Sequence, residues 1–368
     1  MKQKTKYYSL EKILLLECIY NIIIGERSNG KTFSVQKKIV DDYWESRAEG
    51  AIIRRWEEDF KGRRGATMFD GLVNTGYIRK LTKGEFDRIV YYSGRWYFGK
   101  YDEKLDKVIR TEFPFCYGFA LTTMEHDKST SYPKIKNILF DEFISREGYL
   151  NDEFVSFMNV LSTIIRDRND VKIFMLGNTV NKYCPYFKDM GLRNVMNMQQ
   201  GKIDVYQYGD SGLRVAVEYC APQKEGKASD KYFAFDNPKL AMITSGEWEI
   251  ALYPHLPIKY ERTDIRFTYF IEFEDELLQC EIVRKDNSTF TFIHRKTTAI
   301  KNPDKDFIYS NKYDSRPNWH RRLISPKSDA EKRICWFFQN EKVFYQDNEV
   351  GEVVRNYLLW CKNDRGIL

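Results

Sequence analysis

The stretch "NIIIGERSNGKTFSV" at residues 21–35 constrains this chain more than any other. It sets Gly25, Gly30, Lys31 and Thr32 in the G-x-x-x-x-G-K-[ST] spacing. The β-branched run before Gly25 reads as a strand buried on both faces, as a parallel sheet requires. Beyond Thr32, the apolar residues Phe33, Val35, Ile39, Val40 and Tyr43 recur at helical spacing. Successive N–H groups of such a loop, together with the helix N-terminus, cradle phosphate oxygens. Gly25 and Gly30 let the backbone approach without a Cβ. In this cradle Lys31 reaches the β- and γ-phosphates of ATP and Thr32 holds Mg²⁺. Glu26, Arg27, Ser28 and Asn29 complete the nucleotide loop and face either the polyphosphate or a neighbouring molecule.

A phosphate loop of this kind needs an acid at the end of a nearby strand. "KNILFDEF" supplies a strand over residues 138–140, then Asp141 for the Mg²⁺ shell and Glu142 as a base for the attacking water. "VKIFMLGNTVN" at residues 171–181 gives a further buried strand, ending at Gly177 and Asn178. Asn178 is placed to sense the γ-phosphate, with a plain turn as the alternative. "GAIIRRWEEDF" reads as the second strand, leading to Arg54 and Arg55. These arginines either touch nucleotide, a neighbouring subunit or DNA, or form a solvated edge. An arginine supplied by a neighbour often completes phosphoryl transfer. Arg146 is the first candidate for it, with Arg166 and Arg168 as alternatives.

The rest of the composition excludes more than it selects. With 42% hydrophobic and 15% aromatic residues in 368, the chain has core material enough for two domains. A net charge of +6 permits a polyanionic partner without demanding one. The seven cysteines include no C-x-x-C pair, which points to a reducing cytoplasm rather than a zinc site or a disulfide framework. The apolar run near the start is too short and too charged to span a membrane. The four histidines are isolated, and no metal site is assigned to them.

"IIIGERSNGKTF", "AIIRRWEEDF", "NILFDEFISREGYL" and "IFMLGNT" together resemble the additional-strand, catalytic-glutamate (ASCE) ATPases. More closely, they resemble the DNA-encapsidation ATPases of small protein-primed tailed phages, relatives of terminase large subunits. The resemblance covers roughly the first 200 residues well. It implies a homopentameric ring at the portal of a procapsid in the host cytoplasm. There ATP hydrolysis would drive double-stranded DNA inward, with a packaging RNA as a further partner. It also implies that Arg146 is the trans-acting arginine. A helicase, or a nucleotide-binding structural RNA- or DNA-binding protein with weak hydrolysis, is the rival reading.

The fold expected is therefore an α/β ATPase domain with a mostly parallel sheet over residues 1–200, a linker subdomain over 201–232, and a smaller α+β domain over 233–368. "RIVYYSGRWYFG" at residues 88–99 reads as a hairpin turning at Ser93-Gly94. It belongs to an insertion whose Lys100 and Lys104 are candidate DNA contacts. The last domain reads as three alternating strands, turning near Glu274-Asp275 and Asp286-Asn287, followed by helices. That pattern fits an RNase H-like domain. Glu272 has no evident acidic partners, so nuclease chemistry, which needs several carboxylates on two metals, is not expected. A basic stretch with Arg316, Arg321 and Arg322 is placed on nucleic acid instead.

Overall fold

The elements flanking the glycine loop set the frame of the first unit. β1 (Tyr20–Gly25) is buried along its whole length. Its helix, α1 (Lys31–Ser46), buries Val35, Ile39, Val40 and Tyr43, the stripe that the sequence spacing predicts. The computed structural model describes residues 7–123, 130–146, 148–150, 152–181, 184–221, 248, 251–256 and 258–363. The chain divides into two units, residues 1–145 with 152–248, and residues 146–151 with 249–368.

The other strands of the first unit are β2 (Glu49–Arg54), β3 (Arg88–Tyr92), β4 (Arg95–Asp102), β5 (Lys107–Arg110), β6 (Cys116–Ala120), β7 (Ile135–Asp141), β8 (Lys172–Asn178), β9 (Lys202–Tyr208) and β10 (Leu213–Tyr219). Among the described residues they form one sheet of order β3-β4-β6-β2-β7-β8-β1-β10-β9, with β5 paired to β4. From β6 to β10 every neighbour is parallel. The antiparallel pairs lie at the two ends. β8 separates β1 from β7, so the strand carrying Asn178 is the additional strand between the phosphate loop and the acid pair.

Successive residues of a strand face opposite sides of the sheet, and the core follows that rule. Leu139 joins Ile23, Ile52, Phe174 and the buried stripe of α1 on one face. Phe140 stacks on Phe157 of α2 (Glu153–Ile165) and meets Tyr186 of α3 (Pro185–Asp189) edge-on. The hairpin at Ser93-Gly94 forms as expected.

One boundary differs from expectation. Residues 201–232 were expected as a linker of polar turns, yet residues 202–219 supply β9 and β10 of the sheet. β10 runs parallel to β1, from Tyr20↔Val215 to Ile24↔Tyr219. Gly209 and Gly212, both at positive φ, are only the turn between the two strands. Their turn chemistry hides the buried run at residues 215–219. Residues 222–232 lie outside the described residues. The first unit extends to residue 248 rather than ending at 200, and residues 146–151 belong with the second.

The second unit is built on the expected meander, β11 (Ile265–Phe273), β12 (Glu276–Lys285) and β13 (Ser288–Arg295). Glu274 and Asp286 take positive φ in its two turns. β14 (Phe307–Ser310), β15 (Trp319–His320) and β16 (Val343–Tyr345) complete a sheet of order β15-β14-β11-β12-β13-β16. The helices α4 (Asp329–Gln339) and α5 (Asn348–Asn363) follow the expected segments. Ser328 and Glu331 close a capping box at the start of α4, which is why the helix begins there. Val350, Val353, Val354 and Tyr357 bury one side of α5.

A polar network lies within this unit. Glu281, only 7% exposed, accepts from Tyr260 Oη at 2.5 Å and Gln279 Nε2 at 2.6 Å, with His294 Nε2 at 3.6 Å. His294 and these donors hold the Glu281 carboxyl down to about 2, and Glu281 raises the His294 imidazole above its usual range. The Glu281 contribution is complete above the unfolded carboxylate value of about 4.3 and is lost as pH falls through about 2. The His294 contribution is complete below its unfolded value of about 6.5 and is lost as pH rises through its higher folded value. Glu281→Gln is expected to lower stability by about 2 kcal/mol. Urea midpoints measured across pH check this: the difference from wild type should be largest between about pH 4.5 and 6.5 and shrink on both sides.

Candidate nucleotide site

Parallel strands end at a common edge, and there the loops after β1, β7 and β8 converge. They enclose a cleft of about 440 Å³ lined by residues 27–33, Asp141, Glu142 and residues 176–178. Gly25 and Asn178 are register partners, as are Asp141 and Leu176. Register alone therefore brings the phosphate loop, the acid pair and the sensor candidate together.

The loop is wound tightly around Lys31. Its ammonium donates to the carbonyls of Glu26 at 2.6 Å and Gly25 at 3.3 Å, and lies 3.4 Å from Asn178 Oδ1. Asn29 Oδ1 accepts from the Lys31 N–H at 3.2 Å. Gly25 has φ +155° and Gly30 φ +94°, conformations that L side chains rarely adopt. A Cβ at Gly25 would also lie 2.9 Å from Cys220 Cβ. Glu26 and Asn29 are buried and shape the loop, whereas Arg27 and Ser28 are exposed along the cleft. The structure thus separates four residues that the sequence reading kept together.

Thr32 Oγ1 lies 3.3 Å from Asp141 Oδ1. A hydroxyl beside a carboxylate is a hard-oxygen pair, the donor chemistry that suits Mg²⁺, and the two residues fit that ion. Burial pushes the Asp141 carboxyl up, while Arg54 and Thr32 oppose the shift. Glu142 is largely exposed, at 64%, and takes φ +59°. Asp141 pairs with Leu176, and the next residue but one, Phe143, donates its N–H to the same Leu176 carbonyl at 3.2 Å. Glu142 is therefore extruded from the ladder with its side chain toward the cleft.

Arg54 and Arg55 form neither a solvated edge nor a pair with one role. Arg54 Nη2 is 2.8 Å from Asp141 Oδ2, and its Nη1 is 2.7 Å from Glu142 Oε2. Arg55 is buried on the other side, bonded to Glu153. Period-two alternation at a strand end sends adjacent arginines to opposite faces. That signal lies in the sequence itself. A second group had no sequence signal. Tyr8 donates its N–H to the Asn29 carbonyl at 2.9 Å and its hydroxyl to Glu218 at 2.6 Å, and accepts from Ser34 Oγ at 2.5 Å. It straps the loop to β10 and α1.

The remaining candidates separate. Arg168 is held by the carbonyls of Tyr132, Pro133, Ile135, Ile164 and Ile165. Arg166 is exposed and donates to the Thr130 carbonyl at 3.0 Å. Both precede β8, at the edge of the sheet opposite the cleft. Arg146 lies in the second unit, where its carbonyl accepts from Arg355. Lys100 and Lys104 are exposed at the β4–β5 hairpin. Arg316 is bound by Asp304 and Asp314 at 2.7 Å each and packs on Trp319. The Arg321 guanidinium lies over Trp360, and Arg322 is half-buried just before the buried Leu323.

Residues 2–213 match the Podovirus DNA encapsidation protein (Gp16) family. The chain belongs to that family. The encapsidation-family match covers the whole cleft described above. The DNA packaging protein of Bacillus phage phi29 is 24% identical over 187 residues, 50% of each chain. That of Bacillus phage B103 is 25% identical over 183 residues. The matched region thus spans about half the length of these curated relatives. Across 99% of this chain, the fold is similar to that solved as "The Phi-28 gp11 DNA packaging Motor", with a TM-score of 0.55 and 16% identity. A solved phi29 genome packaging motor assembly is similar over 96% of the chain, with a TM-score of 0.53 and 16% identity.

Gly177 sets how closely β8 approaches the acid loop: a Cβ there would lie 2.6 Å from Ile144 Cδ1 and 3.0 Å from Phe143 Cε1. Gly177→Ala is expected to cost about 1–3 kcal/mol and to weaken nucleotide binding by displacing Asn178. Thermal unfolding and titration with a fluorescent nucleotide check both outcomes.

Proposed function

We propose that this encapsidation-family chain is the ATPase of a motor that packages double-stranded DNA into a procapsid. The observation that carries the reading is the convergence of Lys31, Thr32, Asp141, Glu142 and Asn178 on one cleft at the edge of a parallel sheet. The working form would be a homopentameric ring at the portal vertex in the host cytoplasm, with a packaging RNA as a further partner.

In this reading ATP is the substrate. The loop N–H groups and Lys31 bind its phosphates, and Thr32 and Asp141 would hold Mg²⁺. When bound, that ion neutralises charge on the phosphate oxygens. Glu142 orients the attacking water and takes its proton. Asn178, beside Lys31, detects whether the γ-phosphate is present. Arg54 holds both acids from the cis side. The arginine supplied in trans is Arg146 by family resemblance. Arg166 is the stronger candidate on availability, being exposed at a helix end, and Arg168 is spent on backbone carbonyls.

Lys100 and Lys104 would meet DNA phosphates, as a motor indifferent to base sequence requires. Arg321 and Arg322 are the candidates in the second unit. Arg316, already neutralised by two carboxylates, is the weaker one. The three-strand meander with two parallel strands added beside its first supports an RNase H-like fold for that unit. Glu272 there pairs with Lys312 at 2.7 Å and faces Ser310 across the ladder. A cation and a hydroxyl at those positions support a binding role over cleavage.

Glu142→Gln is expected to keep nucleotide affinity within about 3-fold while lowering turnover by roughly 10²–10⁴. Steady-state hydrolysis and nucleotide binding, measured on the same preparation, read the two effects. Wild-type turnover in this variant would remove the catalytic assignment. ATP-dependent protection of double-stranded DNA inside cognate procapsids tests the motor itself, and no protection with the active enzyme overturns it.

A further inference from the structure

We infer that Arg55, Glu153 and Tyr186 form a backbone clamp that positions Glu142 for hydrolysis. The inference rests on the proposed role of Glu142. Arg55 is 7% exposed and the Glu153 side chain is fully buried. Arg55 Nε and Nη2 each lie 2.7 Å from a different Glu153 oxygen, a two-point pairing that fixes the guanidinium plane. Tyr186 donates its hydroxyl to Glu153 Oε1 at 2.9 Å. The edge of the guanidinium left over faces the acid loop: Nη2 donates to the Phe143 carbonyl at 2.9 Å, and Nη1 lies 3.4 Å from the Glu142 carbonyl.

This arrangement has a purpose that a buried ion pair alone does not explain. Glu142 sits at φ +59°, a conformation that costs energy for a residue with a Cβ and persists only where its surroundings impose it. Two carbonyls held in place, one at Glu142 and one at the residue after it, supply that imposition. Relaxing the peptide would turn the Glu142 side chain away from the cleft. Arg54 cannot replace the clamp, because it grips the carboxylates of Asp141 and Glu142 rather than the backbone. Arg55 and Glu153 act on Glu142 through the backbone carbonyls named above, so they are positioning residues. Tyr186 also packs edge-on against Phe143, which braces the same turn from the core side.

The clamp has a second consequence. Glu153 is the first residue of α2, and the helix ends at Ile165, one residue before Arg166. The helix that carries Glu153 thus also leads to Arg166, one of the candidate trans-acting arginines. A rotation of α2 would be felt at Glu142 through Glu153 and Arg55.

The test uses the full chain and reads turnover per bound nucleotide, so a loss of folded protein cannot mimic the effect. The double variant Arg55→Met/Glu153→Met removes both buried charges together, which leaves no unpaired ion in the core. It is expected to bind a fluorescent ATP analogue with wild-type stoichiometry and affinity within about 3-fold, and to turn over 10- to 100-fold more slowly per site. Arg55→Lys keeps the charge but not the fork, and serves where the double variant does not fold. It is expected to lose about 10-fold in turnover with KM unchanged. Wild-type turnover per site in either folded variant overturns the clamp. Parallel loss of binding stoichiometry and activity, with turnover per site intact, assigns the network to stability alone and also overturns it. Glu142→Gln runs alongside: if that variant also hydrolyses ATP normally, the underlying catalytic reading has failed instead.

Discussion

The peptide that carries Asp141 and Glu142 must satisfy two demands that conflict. Asp141 has to stay in register with Leu176, since that pairing sets the acid beside Thr32. Glu142 has to leave the ladder, since a residue in register would point its carboxylate into the layer behind the sheet. The chain resolves this with one residue at positive φ, after which Phe143 rejoins Leu176. Almost every other feature of the cleft supports that extrusion. β8 ends in Gly177, whose missing side chain makes room for Phe143 and Ile144. β2 ends in two arginines that grip the extruded residue by its side chain and by its backbone.

The electrostatics follow from the same geometry. Asp141 is buried, and burial alone would favour its neutral form. Arg54 offsets that effect and at the same time separates the two adjacent carboxylates, which otherwise repel. Lys31 is treated similarly: it is nearly buried, and backbone carbonyls and Asn178 surround its ammonium. Asp141, Glu142 and Lys31 are thus each held by a group of opposite polarity on another strand.

The legibility of this in sequence was uneven for physical reasons. Strand–loop–helix context, the D-E pair and the G-N strand end are local signals, and each was readable within a dozen residues. The meander of the second unit was readable because alternation and Asp or Asn turns are local too. Sheet order is not local: nothing in "LRVAVEY" announces that it pairs with the phosphate-loop strand, and the glycines before it suggest a loop. The roles of Arg54 and Arg55 sat between these cases. Alternation predicts that they part, but their partners, Asp141 and Glu153, lie far along the chain. The strap formed by Tyr8 and Glu218 joins nearly opposite ends of the first unit, and no pattern in either segment marks it.

The distribution of arginines gives the last step. In the cleft, Arg54 is committed to two carboxylates, so its charge is largely spent before a nucleotide arrives. Arg27 is exposed and Lys31 is enclosed, and both face a ligand carrying more negative charge than they carry positive. In the proposed hydrolysis, charge developing on the γ-phosphate oxygens would be met by Lys31, by the Mg²⁺ that Thr32 and Asp141 would hold, and by an arginine supplied in trans. Arg168 cannot be that cation, since five carbonyls already define its position. Arg166, exposed at the opposite edge of the sheet, lies away from the cleft of its own chain. In the proposed motor, an arginine at that edge would act on a neighbouring subunit's cleft rather than on its own.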